Sequence, residues 1–214
     1  MSWGASRSGG LELHGRRVTL RPLVVSDFEA WREVRLRARD WLVKWEPRPL
    51  PGQPDATDDR RVFAARCGAR ERERQLGTGY GFGIFVGSRF VGEINLSSVQ
   101  RGPFQNAYIG YWVDEAAAGN GYCPEAVVVL CRFAFEELAL HRLQAAIIPR
   151  NRPSHRVAEK VGLRDEGTAL RYLEINGAWE DHTRYAITAE DWAERREAYL
   201  RDWLAPLGDP APPV

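Results

Sequence analysis

The sequence contains few cysteines and no long apolar run. It has 3 cysteines and 1 methionine in 214 residues. The cysteines, Cys67, Cys123 and Cys131, are odd in number and not closely paired, which argues against a disulfide framework and against a zinc site. No uncharged apolar run approaches the ~18 residues that a membrane span needs, and the N-terminus lacks the apolar stretch of a signal peptide. We therefore expect a cytoplasmic protein without membrane association.

Excess charge of either sign is also missing. Lys and Arg total 30 against 29 for Asp and Glu, a formal net charge of +1. This balance leaves no global footprint for nucleic acid, so no direct nucleic-acid binding is expected. The arginines of residues 70–74 alternate with glutamates, a pattern typical of a solvated helix face.

Length and local composition predict one folded domain between a flexible N-terminal segment and a proline-rich C-terminal tail. Residues 1–10 are rich in glycine and serine and are expected to be flexible, and 205–214 form a proline-rich tail. The 194 or so residues between them, 11–204, suit a single domain by the usual prior of roughly 100 to 200 residues.

Periodicity predicts alternating strands and helices, hence an α/β (mixed α+β) fold with helices flanking one sheet. A loop rich in proline and tryptophan is expected over 41–55. Strands are expected over 17–23, 80–86, 89–99, 106–113, 142–148, 164–175 and 180–187. Helices are expected over 26–39, 58–74, 125–138 and 153–161, and from residue 191.

A glycine pair lies between an expected strand and an expected helix. Gly119 and Gly121 permit turn conformations and close approach of a ligand to the main chain. Pro124 suits the first turn of a helix, whose free N–H groups would point back at the loop and favour phosphate. The Gly-Lys-Ser/Thr of nucleoside triphosphatases and the third glycine of dinucleotide folds are absent. The pattern predicts a pyrophosphate-bearing ligand, with a plain strand-to-helix turn as the alternative.

A second motif follows the next expected strand. Asn151 and Ser154 stand three residues apart at a strand-to-helix junction, and Gly162 is placed to end the short helix. Each of the two polar residues also has a purely local interpretation, since serine commonly caps helices and asparagine commonly occupies turns.

Together the two motifs resemble the Gcn5-related N-acetyltransferase superfamily. Residues 90–192 resemble its ribosomal-protein N-terminal acetyltransferases of the RimJ/RimL type, and Trp41–Pro47 and Tyr172–His182 are most similar to the RimJ branch. The resemblance implies a single central, mixed, mostly antiparallel and splayed sheet flanked by helices. The other strings that carry it are Gly92–Asn95, Gly110–Trp112, Gly121–Ala126 and Asn151–Ser154.

The resemblance implies acetyl-CoA as co-substrate, no metal, and direct attack of an amine on the thioester. Main-chain N–H groups of 119–123 would bind the pyrophosphate, and one near Val113 would face the thioester oxygen. Ala118 stands where the family usually has Gln or Arg, and Cys123 where it often has a small residue or Met, which reduces side-chain help to the phosphates. The full expected cofactor-binding set is Trp112, Val113, Gly119, Asn120, Gly121, Tyr122, Cys123, Asn151 and Ser154.

Three residues are candidates for catalysis. The resemblance gives Ser154 a hydrogen bond to the leaving thiolate. An N-terminal amine has a pKa near 8, so a modest general base suffices. Glu93, on a strand that faces the substrate cleft in this superfamily, is the first candidate for that base. Glu174 is held in reserve, because the position that matches the proposed base of RimL-type enzymes is Leu173, whose side chain is on the opposite strand face.

The acceptor amine stays open. A protein N-terminus, possibly of a ribosomal protein, is favoured by Trp41–Pro47 and Tyr172–His182. A small amine is the second candidate. A non-catalytic acyl-CoA binding module is disfavoured by Asn151 and Ser154. The sequence does not choose between acetyl and succinyl groups, nor between monomer and homodimer.

Overall fold

A computed structural model describes residues 10–48, 52 and 54–204 of the chain. Apart from residue 10, the expectations for the two ends fall on 1–9 and 205–214, outside the described residues. Within the described ranges no helix is both long and apolar enough to cross a membrane.

Strands and helices are interspersed along the chain. The strands are β1 Leu13–His14, β2 Val18–Arg21, β3 Tyr80–Val86, β4 Arg89–Gln100, β5 Asn106–Val113, β6 Arg142–Ile147, β7 Arg164–Ile175 and β8 Ala178–Thr188. The helices are α1 Phe28–Arg37, α2 Arg39–Leu42, α3 Arg60–Leu76, α4 Tyr122–Arg132, α5 Arg152–Val161 and α6 Ala189–Trp203. A π-helical turn, Phe133–Glu137, continues α4.

The strands form one mixed sheet in the order β1-β2-β3-β4-β5-β6-β8-β7. All neighbouring strands are antiparallel except β5 and β6, which are parallel and paired only from Asn106↔Arg142 to Tyr108↔Gln144. Beyond Tyr108 the two strands diverge, while β5 continues to Val113. The expected mixed, mostly antiparallel and splayed sheet is confirmed.

The sheet is covered on both faces. The larger core packs under α4, where each residue from Cys123 to Arg132 is buried; a helix that is apolar nearly all round requires such enclosure. A smaller aromatic cluster lies on the other face, where Phe28 and Trp31 of α1 pack on Phe63 of α3 with ring centroids 5.5 and 4.8 Å apart. Helices α1 and α3 therefore form the layer opposite α4.

Two local expectations were wrong. The first part of the expected loop over 41–55 is instead the end of α2 and a 3-10 turn, Val43–Trp45, because Leu42 is buried in the core; residues 49–51 and 53 of that range lie outside the described residues. Helix α4 begins at Tyr122, earlier than expected, because Gly121 adopts φ +82° and takes the N-cap position.

Candidate active site

The loop that contains Gly119 and Gly121, called the glycine loop below, lies directly before α4. Gly119 and Gly121 both have φ +82°, a region that favours glycine. The Asn120 side chain stabilises the loop by donating hydrogen bonds to the carbonyls of Ala117 and Ala118 at 3.2 and 3.3 Å. No side chain among the described residues caps α4, so the N–H groups of its first turn remain available to an anion.

A buried carboxylate braces this loop from behind. Glu125, 1% exposed, accepts hydrogen bonds from the main-chain N–H groups of Arg17 and Val18 and from Arg17 Nε, the last at 2.8 Å. Arg17 Nη1 then donates to the carbonyl of Asn120 at 3.0 Å. The guanidinium also lies over the Tyr122 ring, 5.3 Å from its centroid. Strand β2 is thereby tied to the glycine loop.

A cavity of about 1270 Å³ lies between the loop and α5 and reaches across the sheet to α1 and α3. Its wall includes Gly119, Gly121, Ser154, Trp31 and Glu93. Loop, second motif and candidate base thus share one cavity, although they are distant in sequence.

The two polar residues of the second motif, Asn151 and Ser154, have different roles in the structure. Asn151 is the N-cap of α5, and its Oδ1 accepts the main-chain N–H of Ser154 at 3.3 Å. The Ser154 hydroxyl has no hydrogen bond to any described residue, and Ser154 lines the cavity. The helix cap that the sequence offered for Ser154 is therefore supplied by Asn151, which leaves the serine hydroxyl free.

Tyr111 of β5 forms a hydrogen bond with the main chain of Ser154. Its hydroxyl donates to the carbonyl oxygen of Ser154 at 3.1 Å. Burial raises the pKa of this hydroxyl well above its ordinary value, so it remains a protonated donor at neutral pH. Tyr111 therefore links the diverging end of β5 to the first turn of α5.

At the end of β5, main-chain groups face the gap between β5 and β6. The Asp114 N–H donates to the Val91 carbonyl at 2.8 Å, toward β4. Because successive residues of a strand point their main-chain groups to alternate sides, the Val113 N–H faces the gap between β5 and β6. This orientation agrees with the expected contact to a thioester oxygen.

Both oxygens of Glu93 already have partners. Oε1 accepts the Trp31 indole N–H at 2.7 Å, and Oε2 pairs with the Arg66 guanidinium. The Glu93 side chain is 15% exposed. Glu93 therefore lines the large cavity with each of its oxygens held by one donor, from α1 or from α3.

A second cavity, of about 620 Å³, adjoins the first. Tyr108, Tyr172 and His182 line it, on the side of the β7–β8 hairpin. The residues that line both cavities are Trp45, Pro47, Gly110, Tyr111, Asn151 and Ser154. The two cavities therefore share a wall at the gap between β5 and β6, beside the Ser154 hydroxyl.

Comparisons with known proteins agree with this geometry. Residues 17–164 match the model of the family described as acetyltransferase (GNAT) domain. The chain belongs to the GNAT acetyltransferase family. It is 36% identical over 181 residues to the probable N-acetyltransferase YjcK of Bacillus subtilis, covering 84% of this chain and 98% of the relative.

A second relative and a solved structure are similar over most of the chain. The [Ribosomal protein uS5]-alanine N-acetyltransferase of Escherichia coli is 31% identical, over 81% of this chain and 89% of its own. The solved structure of Mycobacterium smegmatis RimJ in complex with CoA-disulfide has a TM-score of 0.79 and 33% identity, covering 89% of this chain and 92% of that one. The protein is thus an acetyl-CoA-dependent acetyltransferase of the GNAT family.

As a GNAT chain, it places most of the expected cofactor set on the cavity. Trp112, Val113 and Tyr122 line it together with the loop glycines, Asn151 and Ser154. Asn120 does not line the cavity, and its side chain serves the loop.

Cys123 also lines the cavity and is buried, which raises the pKa of its thiol to about 12. A protonated thiol is a poor nucleophile, which favours direct transfer over an acyl-cysteine.

The structure does not bring Glu174 to this site. Its side chain is exposed and lines neither cavity. The neighbouring Leu173 does line the second cavity. The doubt raised by the strand alternation at 173 and 174 is therefore supported.

Sequence reasoning missed four residues that shape the site: Arg17, Glu125, Trp31 and Tyr111. Their partners lie 43 to 108 positions away in the chain, and local patterns carry no signal of such pairs. Glu125 offered one clue, since a carboxylate in an otherwise apolar helix requires a partner when it is buried.

Proposed function

We propose that this enzyme transfers the acetyl group of acetyl-CoA to the N-terminal α-amine of a protein, with a ribosomal protein as the first candidate. The observation that carries the proposal is the pair of adjoining cavities. The larger holds the glycine loop and fits the CoA end of the reaction. The smaller, lined by aromatic side chains, fits an extended chain end.

The two segments most similar to the RimJ branch meet beside these cavities. The main-chain N–H of Asn176, at the β7–β8 turn, donates to the carbonyl of Glu46 at 2.9 Å. Arg35 holds the Glu46 carboxylate through two hydrogen bonds of 2.6 and 2.8 Å. Trp45 next to it lines both cavities. The two segments that resemble the RimJ branch therefore lie next to the cavity proposed for the acceptor.

The residues can divide the chemistry as follows. The amine attacks the thioester carbonyl, and the Val113 N–H stabilises the charge that develops on its oxygen. The free hydroxyl of Ser154 donates a hydrogen bond to the departing thiolate. Glu93 accepts the proton of the amine, directly or through water, with Trp31 and Arg66 orienting its carboxylate. Holding both substrates at the gap supplies much of the acceleration.

A direct test compares acceptors. The protein is incubated with acetyl-CoA and peptides that have free N-termini, the same peptides with blocked N-termini and an internal lysine, or small polyamines, and products are read by mass spectrometry. The proposal requires acetylation of free N-termini alone or far faster than of the others. Faster acetylation of small amines would favour the second candidate, a small-molecule N-acetyltransferase. Succinyl-CoA in parallel tests the acyl group.

A further inference from the structure

Helix α5 presents two cationic side chains to the large cavity beyond Ser154. Arg156 and Lys160 are exposed and line the same cavity as Gly119 and Gly121. Their spacing of four residues places them on one helix face. Lys160 lies about 9 Å farther along the helix axis than Ser154, at ~1.5 Å per residue. The pair is therefore set back from the reacting centre.

These two cations differ from the others in the cavity wall. Neither Arg156 nor Lys160 forms an ion pair or hydrogen bond through its side chain with any described residue. Like charges one helical turn apart disfavour the helix slightly unless an anion compensates them. The remaining cations of the wall are all paired: Arg35 with Glu46, Arg66 with Glu93, Arg70 with Glu73, and Arg74 with Glu71.

The glycine loop supplies no cationic side chain of its own. Residues 117–123 contain no Lys or Arg, and the neighbouring Arg17 is bonded to Glu125 and to the Asn120 carbonyl. The loop can bind a diphosphate through main-chain N–H groups. The CoA molecule carries a further phosphate monoester on its ribose, with a charge of about −1.5 to −2 at neutral pH, and unpaired cationic side chains favour binding of such a group.

We propose that Arg156 and Lys160 bind the ribose 3′-phosphate of CoA and so select CoA over its dephosphorylated form. The inference rests on the use of CoA in the proposed function. Charge-assisted hydrogen bonds from a guanidinium and an ammonium group suit a phosphate monoester. Because the pair is set back from Ser154, it acts on cofactor affinity and not on the acyl-transfer step.

Calorimetric titration with CoA and with 3′-dephospho-CoA tests the pair. The wild-type protein is expected to bind CoA at least about tenfold more tightly, a preference that shrinks with added salt because exposed charges are screened. The Arg156→Ala/Lys160→Ala double variant is expected to bind the two ligands with nearly equal Kd. Arg152→Ala is the matched control, since Arg152 is exposed on the same helix but does not line the cavity, and it keeps the preference.

Two results would overturn the proposal. One is a double variant that retains the wild-type preference for CoA. The other is an equal loss of affinity for both ligands, which would assign the pair to the diphosphate. Thermal melts confirm folding of each variant. The titrations need no acceptor, so failure of the N-terminal transfer assay with intact CoA preference would reject the acceptor assignment alone.

Discussion

Trp31 of α1 donates its indole N–H to Glu93 of β4 at 2.7 Å, and Arg66 of α3 pairs with the other oxygen of the same carboxylate. This contact joins the helical layer to the sheet at the wall of the large cavity. It holds the carboxylate in one orientation, which suits a group that receives a proton at a defined point. A substitution of Glu93 also removes its ion pair with Arg66, so thermal melts must accompany each activity measurement.

Glu93→Gln keeps the shape of the side chain and removes its basicity. We expect kcat/KM to fall by about a hundredfold or more, the usual contribution of a general base, and the acidic limb of its pH profile to change shape. Glu174→Gln is the control, because Glu174 lies outside both cavities. A parental pH profile in Glu93→Gln would mean that the proton leaves through water.

Gly121→Val should abolish the stabilisation that acetyl-CoA gives to the protein. A ligand that binds only the folded state adds about 2.7 kcal/mol at a hundredfold excess over Kd, and the Gly121 side chain would alter the loop at φ +82°. Gly102→Val is matched, since Gly102 has φ +68° with nothing within 4 Å of an added Cβ. It should lose similar backbone stability but keep the thermal shift. An undiminished shift in Gly121→Val would remove the glycine loop from the cofactor site.

Ser154→Ala should lower kcat by roughly tenfold or more while the Kd for CoA stays nearly constant. The hydroxyl has no hydrogen bond to any residue that the structure describes, so little stability should be lost. Asn151→Ala provides the contrast, because it removes the N-cap of α5 and should cost about 1 kcal/mol of unfolding free energy. Equal losses of stability and activity in Ser154→Ala would assign it a structural role.

Tyr111→Phe tests the link between β5 and α5. Losing the hydrogen bond to the Ser154 carbonyl should cost about 1 kcal/mol of stability and lower kcat by displacing Ser154. Burial raises the pKa of Tyr111 above its ordinary value, so the hydroxyl stays protonated as pH rises through 8 to 10. The alkaline limb of the pH profile should therefore be the same in both proteins. A limb that moves to higher pH in Tyr111→Phe would show that the tyrosine itself titrates.

Glu125→Gln should be strongly destabilising. The buried carboxylate has only N–H donors as partners, and a glutamine amide would turn an N–H group toward one of them. Arg17 is half exposed, so the cost arises from buried main-chain donors that lose a charged acceptor, about 1 to 3 kcal/mol. Denaturant unfolding measures the loss, with Glu115→Gln, outside this network, as control. A loss below about 1 kcal/mol would mean that Arg17 and the loop hold each other without Glu125.

Elements with strong local signals were predictable from the order of the amino acids. Gly119 and Gly121 predicted a loop before a helix because only glycine adopts φ +82° easily. The Asn176-Gly177 turn between β7 and β8 follows from the same physics. Alternation and apolar runs placed most strands within one or two residues of their observed ends. The resemblance to the GNAT superfamily, carried by the two motifs, supplied the family and the splayed sheet.

The contacts between distant side chains could not be predicted in this way, because they depend on the complete fold. Trp31 and Glu93 are 62 positions apart, and Arg17 and Glu125 are 108 apart; such pairs depend on strand order and register, which local periodicity does not encode. The same reason separates Glu93 from Glu174. Both are strand carboxylates in the sequence, but Glu93 is on the central strand β4 and lines the large cavity, whereas Glu174 is on the edge strand β7 and is exposed.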